Sequence, residues 1–485
     1  MDPLFVRFDL KNIHCTDEGD GPGLAEPYLW TVFFKIDGDT ARVDSSFKLQ
    51  GTATVVGTPG DHGDLKVAEV DAGNDVAVPS AIGHFETTLK PIPTPIPGLT
   101  VGGILGCVVI LMEEDSTPAD AVAQGHAALN KAMQDGLNGL IPTLAMSGTN
   151  PDTAAFEANV MAAVTSAIAG NVNFFDVVWG YVSFGNGQDD LIGTGHAFFP
   201  HSQLDDAVGK PIPLGWHWIN EGDWTLTGSV SVTKRLYDAV WRPGTSGEFQ
   251  HYGLKLSDLQ KTYDGLWKQN YRIYLLNSYE ENGQRLYDAV FRPGTSGEYQ
   301  FYGLAGADLQ KTYDGLWKQN YRIYLLNTYE ENGQRLYDAV FRPGTVGELQ
   351  FYGLTATDFQ NKYDDLWKQG YRVYLFNSYE ENGRRLYDAV FRPGTAAEFQ
   401  FYGLLRTDFQ SKYDDLWKQN YRLYTFNTYI ENNQILYDAV WRPATDAETQ
   451  FYGLGSSDLQ SHYDDLWKKG WRIALLNTYE VGAQA

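Results

Sequence analysis

At 485 residues, with 43% apolar and 14% aromatic content, the chain has material for two or three packed domains and is not a disordered polypeptide. Of its net charge of −24, most sits in residues 1–234, which carry 29 acidic against 10 basic side chains. Such a field disfavours nucleic acid and admits a cation or a basic partner. Cys15 and Cys107 are too few to staple a fold of this size and form no CxxC pair, which argues against a disulfide framework and against zinc.

The opening MDPLFVRFDL lacks the basic start and apolar run of a secretory signal, so a cytoplasmic location or export by a non-classical route is expected. Segments at Leu4–Leu10, Leu29–Ile36, Ser46–Val56, around Phe85–Leu89 and Gly102–Met112, separated by Gly, Asp and Pro, read as strands. The most apolar stretch, Leu99–Met112, is too short to cross a bilayer as a helix and reads as a buried strand; no transmembrane segment is expected, and peripheral membrane contact stays open. Thr117-Pro118-Ala119-Asp120 combines a cap, a first-turn proline and an early acid, and predicts a helix ending near Leu140. Asn150-Pro151-Asp152 opens a second, ending near Ala169. Strands resume at Asn173–Phe184, Gly193–Phe199 and Trp224–Val232. Residues 1–223 are therefore expected as a β-sandwich-like domain with a helical insertion at about 115–170, and 224–234 as a capping strand and linker.

From Arg235 the string RLYDAV(W/F)RPGT recurs every 50 residues, at Arg285, Arg335 and Arg385, and as ILYDAVWRPAT at Ile435. Five units follow: 235–284, 285–334, 335–384, 385–434 and 435–484. A unit this small cannot bury enough surface alone, so neighbouring copies must share a core. Within a unit, Arg285–Arg292 and Tyr299–Leu304 read as strands. In the third copy Thr357 is placed to cap a helix in which Phe359, Tyr363, Leu366 and Trp367 share one face. Tyr321–Glu330 is the last strand, and Asn332-Gly333 at its end is a strong hairpin signal. The expected class is multi-domain α+β, a sandwich followed by five ββαβ repeats forming a closed ring or an open superhelix.

Comparison of the copies shows polar positions that never change. Three sets are candidate ligand-binding residues: Asp238, Asp288, Asp338, Asp388 and Asp438; Arg242, Arg292, Arg342, Arg392 and Arg442; Asn277, Asn327, Asn377, Asn427 and Asn477. One reading pairs them between neighbouring units, since half-buried charges require partners. The other makes five pockets for a glycan or peptide, with Trp267 and its equivalents stacking on the ligand, although the helical spacing directs those tryptophans at the core.

YDAVFRPGT, the FYGL step, the YDDLW helix and the YR(I/V)YLxN strand together resemble the bacterial tandem repeat domain, a module also found beside the hydrolase domain of polyglycine hydrolases. The resemblance covers residues 235–484 and implies an accessory or recognition role for them. It does not extend to the hydrolase, because residues 1–234 are too few and too differently patterned.

The acidic loops are the most chemical feature of the N-terminal half. Asp17, Asp20 and Glu26, with Asp189 and Asp190, offer hard oxygen ligands of the kind calcium takes, and calcium is the expected cofactor if there is one. EPYLW and DDLIG resemble the C2-domain signatures DPYV and DDFIG; the strand before DDLIG, which should carry an Asp-x-Asp pair, reads Val182-Ser183-Phe184-Gly185. Catalytic signals are weak: Ser45-Ser46-Phe47-Lys48 satisfies SxxK in a strand-like segment, His196 and His201 point apart, and His126 stands alone on its helix. The expectation is a non-enzymatic binding or scaffolding protein whose array recognises glycans or proteins. The alternatives are a hydrolase centred in residues 1–234 and a calcium-dependent membrane or partner-binding module.

Overall fold

The computed structural model describes residues 1–19, 24–67, 69–115, 117–148, 151–169, 189–281, 284–432 and 434–482. They divide into two compact units, Met1–Arg235 with Val481–Ala485, and Leu236–Glu480. The expected strand Asn173–Phe184 and the candidate ligand Asp20 lie outside the described residues.

Among the described residues the first unit holds two large antiparallel sheets and two short two-stranded ones. One large sheet contains β1 (Leu4–Asp17), β2 (Asp75–Ala77) and β3 (His84–Leu89), which share one edge of β1, while the beginning of β4 (Asp223–Pro243) pairs with its other edge and with β5 (Ile212–Trp218). The other runs Asp190–Pro200, Ile104–Glu113, Pro27–Ile36, Thr54–Gly57 in spatial order. Every residue of Pro27–Ile36 and Ile104–Glu113 is buried, which explains why both read as unbroken apolar runs rather than as alternating strands. One face packs on the first sheet through Phe8, Phe33, Leu105, Val109 and Val230. The opposite face, with Trp30, Phe34, Val108 and Ile110, is covered by α1 (Ala119–Leu140) and α2 (Thr153–Ala169). The sandwich with a helical insertion is thus a three-layer unit. Thr117 does not cap α1; its hydroxyl accepts from the amide of Asp189, and Pro118 stands at the N-cap without a side-chain bond.

In the second unit each sheet has three strands and one helix. In the first blade the outer strand Phe249–Leu254 leads into the helix Leu256–Trp267 and the inner strand Tyr271–Glu281, and Gln284–Pro293 runs between the two strands. The same order recurs in the next three blades, around Gln334–Pro343, Arg384–Pro393 and Gln434–Pro443. The middle strand always comes from the following sequence copy, so blade and repeat are out of phase. Asn332-Gly333 and Asn382-Gly383 make the connecting turns with φ of 52° and 72°, and 51° and 70°, the doubly left-handed geometry that favours Asn-Gly. In the third blade the helix cap is Thr355, whose hydroxyl accepts from Asp358 N, rather than Thr357, which lies inside the helix Ala356–Lys368.

The fifth copy has no successor, and its middle strand is supplied by the end of β4, where Tyr237, Ala239, Val240 and Trp241 pair with Leu454, Phe451, Gln450 and Thr449. The five blades therefore close into a ring. Trp224–Val232, expected as a cap for the array, pairs instead with β1 and β5 in the first unit. Each blade core takes one valine from the next blade: Val340 enters the first, Val390 the second, Val440 the third, Val240 the fourth and Val290 the fifth. The shared core expected of small repeats is realised as this cyclic exchange.

Candidate binding sites on the five-bladed ring

The three candidate sets occupy three different environments. Asp238, Asp288, Asp338, Asp388 and Asp438 are buried to within 1% of full enclosure. In each, Oδ1 accepts from the amide of the FYGL glycine, at 2.8 Å from Gly253 to Asp288 and 2.7 Å from Gly403 to Asp438. That glycine sits near φ +67°, a conformation costly for other residues, and this accounts for its recurrence. A tyrosine hydroxyl also donates to Oδ1, at 3.2 Å from Tyr329 to Asp338 and from Tyr479 to Asp238. Oδ2 accepts from the neighbouring blade: Thr328 to Asp388 at 2.7 Å, Thr428 to Asp238 and Thr478 to Asp288 at 2.8 Å. Where that neighbour is serine, Ser278 and Ser378 face Asp338 and Asp438 and lower them as hydrogen-bond donors do, but with poorer geometry than the threonines. Burial pushes Asp238, Asp338, Asp388 and Asp438 up to about 6, against the lowering effect of their hydrogen bonds.

The arginine set ties blades together. Arg342 pairs with Glu298 at 2.8 Å, donates to Ile273 O of the preceding blade at 2.5 Å, and lies 3.6 Å over the Tyr324 ring. Arg292, Arg392 and Arg442 repeat this with Glu248, Glu348 and Glu398 and with Ile473, Ile323 and Val373 O, and Arg242 bonds Glu448 and Leu423 O. The tryptophans offered as stacking faces are engaged too: Arg272, Arg322, Arg372, Arg422 and Arg472 each lie 3.2–3.3 Å over the tryptophan of their own blade. These cations also donate to the carbonyl of that tryptophan near the helix end.

The asparagine set is brought together around the ring axis. Asn277, Asn327, Asn427 and Asn477 donate through Nδ2 to Leu476, Leu276, Phe376 and Phe426 O of the preceding blade at 2.7–3.3 Å. With Asn377 and the adjoining Leu, Phe, Ser and Thr residues they line an axial channel of about 220 Å³. The aspartates stand across the strand ladder from them, Asp288 opposite Asn277 and Asp338 opposite Asn327.

One recurrent surface feature was not singled out in the sequence. Phe249, Tyr299 and Phe399 are 39–44% exposed, and each ring lies 4.9 Å from that of Tyr271, Tyr321 or Tyr421; Leu349 holds the equivalent position in the third blade and is also exposed. Its signal is the one variable letter before the constant Gln in FQ, YQ, LQ, FQ and TQ.

In the first unit the acidic candidates do not form a cluster. Asp17 accepts from Gly19 N, Glu26 N donates to Glu113, and Asp190 is exposed at the start of its strand. Asp189 is buried and accepts from Tyr28 Oη at 2.9 Å, from His62 Nε2 at 2.7 Å and from the amides of Asp115 and Thr117 at 3.0 Å. Burial raises its pKa, but these bonds more than offset that and hold it below the usual carboxylate range. Among the described residues no group of three or more His, Cys, Asp or Glu is placed to hold a metal ion. His126 is buried against Trp30, at 5.3 Å between rings, and burial lowers it to about 4. His201 donates to Asp2 O, whereas His196 stacks on Phe198, so the two histidines do not converge. Ser46 and Lys48 lie in a turn whose amides donate to Asp44, not on a helix.

No helix among the described residues is long and apolar enough to cross a membrane. No curated protein matches the chain. Among solved structures, human GIVD cytosolic phospholipase A2 overlaps 86% of this chain at 8% identity with a TM-score of 0.19. The same enzyme in complex with methyl gamma-linolenyl fluorophosphonate and terbium chloride overlaps 76% at 9% identity with a TM-score of 0.17. The chain spans about a third of the length of these phospholipase structures, 36%, and superpositions so loose carry no conclusion about fold or activity. The polyglycine hydrolase-like structural repeat matches at 247–293, 299–343, 350–393, 396–444 and 446–485, one match per blade and offset from the sequence copies. Residues 247–485 of this chain are thus a tandem array belonging to the polyglycine hydrolase-like structural repeat family.

Proposed function

We propose that this chain is a binding protein, without catalysis of its own in the ring, and that the ring presents its recurrent aromatic step to glycans. The observation that carries this reading is the exposure of Phe249, Tyr299 and Phe399, each packed against a second aromatic, at the same place on three blades with Leu349 on a fourth. Aromatic faces beside polar strand ends suit the apolar face of a sugar ring. The buried aspartates and the paired arginines are committed to holding blades together and leave recognition to residues outside the invariant sets. Several weak sites on one rigid ring raise avidity without new contacts, which favours a polymeric or clustered glycan. The test is a glycan array probed with the full chain and with the triple variant Phe249→Ser, Tyr299→Ser, Phe399→Ser. Binding by the full chain, lost in the triple variant with its circular dichroism unchanged, is expected; a blank array, or binding that survives the triple substitution, overturns the reading.

A further inference from the structure

The axial channel holds groups that the inter-blade bonds leave unused. Each of Asn277, Asn327, Asn427 and Asn477 points an amide at a backbone carbonyl, and only Nδ2 can donate there, so the orientation of the amide is determined. The opposite atom, Oδ1, receives no hydrogen bond from any described residue. It is also absent from the buried polar atoms that lack a partner, and so it is open to the channel. The lining is Leu, Phe, Thr, Ser and Asn, with no charged side chain. One position across the ladder stand four of the buried aspartates, Asp288, Asp338, Asp388 and Asp438; Arg285, Arg335 and Arg385 act on Asp338, Asp388 and Asp438, while Arg292, Arg342, Arg392 and Arg442 are paired with glutamates. The lumen itself holds amide oxygens and no charged side chain, so the oxygen ends of these dipoles are what a cation on the axis would meet.

We propose that the channel binds a monovalent metal cation on the ring axis through the Oδ1 atoms of the asparagine set. Neutral amide oxygens do not repay the dehydration of a divalent ion that lacks a direct carboxylate ligand, but they match the weaker hydration of potassium or sodium, as rings of carbonyls do in cation filters. An anion would meet the field of the aspartates, although each Nδ2 keeps a second hydrogen. The inference does not depend on glycan recognition.

The test uses the full chain in potassium, sodium or N-methylglucamine chloride at equal ionic strength, with melting temperature read against cation concentration, and crystals soaked in thallium(I). The expected result is a saturable rise in melting temperature with potassium or sodium over N-methylglucamine, and an anomalous thallium peak on the axis between the asparagines. Asn377, whose side chain forms no hydrogen bond to a described residue, provides variants that spare the blade contacts. Asn377→Leu is expected to weaken cation binding at least fivefold, and Asn377→Asp to strengthen it and admit calcium. Identical melting in all three salts, a channel without thallium, or a bromide peak at the axis would each overturn the proposal, and none of these outcomes needs a variant to fold.

Discussion

The two units solve the burial problem in opposite ways. The first gathers its apolar side chains into two large clusters on either face of one sheet, and its central strands are enclosed on both sides. The ring divides its apolar side chains among five small clusters, none sufficient alone, and joins them with one exchanged valine, one buried carboxylate and one arginine per blade. In the first unit a residue matters for the volume it fills. In the ring it matters for what it links.

The largest expected effect breaks the volume side of this comparison. Trp30 is fully buried between the sheet and α1, with Nε1 donating to Gly60 O at 2.6 Å. Trp30→Ala should cost about 3–5 kcal/mol and raise hydrogen exchange through residues 27–36 and 104–113, leaving the ring's inner strands protected.

A smaller effect sharpens the linking side. A buried aspartate raised to about 6 binds its proton more tightly in the folded ring than in the unfolded chain, so its contribution is complete below about pH 4 and is lost as pH rises through about 6. The denaturant midpoint of the ring should therefore rise on acidification from about pH 7 to about pH 4.5, and Asp388→Asn should flatten the profile. His126 acts with the opposite sign: lowered to about 4, it gives the first unit stability that is present above about 6.5 and lost as pH falls through about 4.

The smallest effect is a gain. Thr328, Thr428 and Thr478 bond the neighbouring aspartate at 2.7–2.8 Å, whereas Ser278 and Ser378 face theirs with poorer geometry. Ser278→Thr with Ser378→Thr should stabilise the ring by about 0.5 kcal/mol per site in denaturant melts, since a well-aligned bond replaces a poorly aligned one. No gain would mean that the serine hydroxyls already hold these blades as well as the threonines hold theirs.

Much of this was legible from spacing. The 50-residue period, the order of strands and helix in a copy, the Asn-Gly turns and the enclosed runs Leu29–Ile36 and Gly102–Met112 are local patterns, and local patterns survive folding. What was not legible depends on partners far apart in the chain. Thr428 meets Asp238 across 190 positions and Arg292 meets Ile473 O across 181, so no window of sequence could say whether the invariant polar residues face a ligand or each other. Trp224–Val232 has the composition of a strand, but composition does not name the strand it pairs with. Thr357 and Thr355 are both competent caps, and only the backbone turn at Thr355 decides between them. The exposed aromatic step has no constant letter, so the repeat pattern does not mark it.

The staggered blade also bears on how such a chain changes length. Every junction between copies lies inside a sheet, so recombination at any point of the 50-residue period regenerates the same strand order, and a copy can be lost or duplicated without a damaged seam. The limit on copy number is geometric. Tyr237–Trp241 must still reach the strand Thr449–Leu454, and the number of blades that permits this closure is the number the ring can keep.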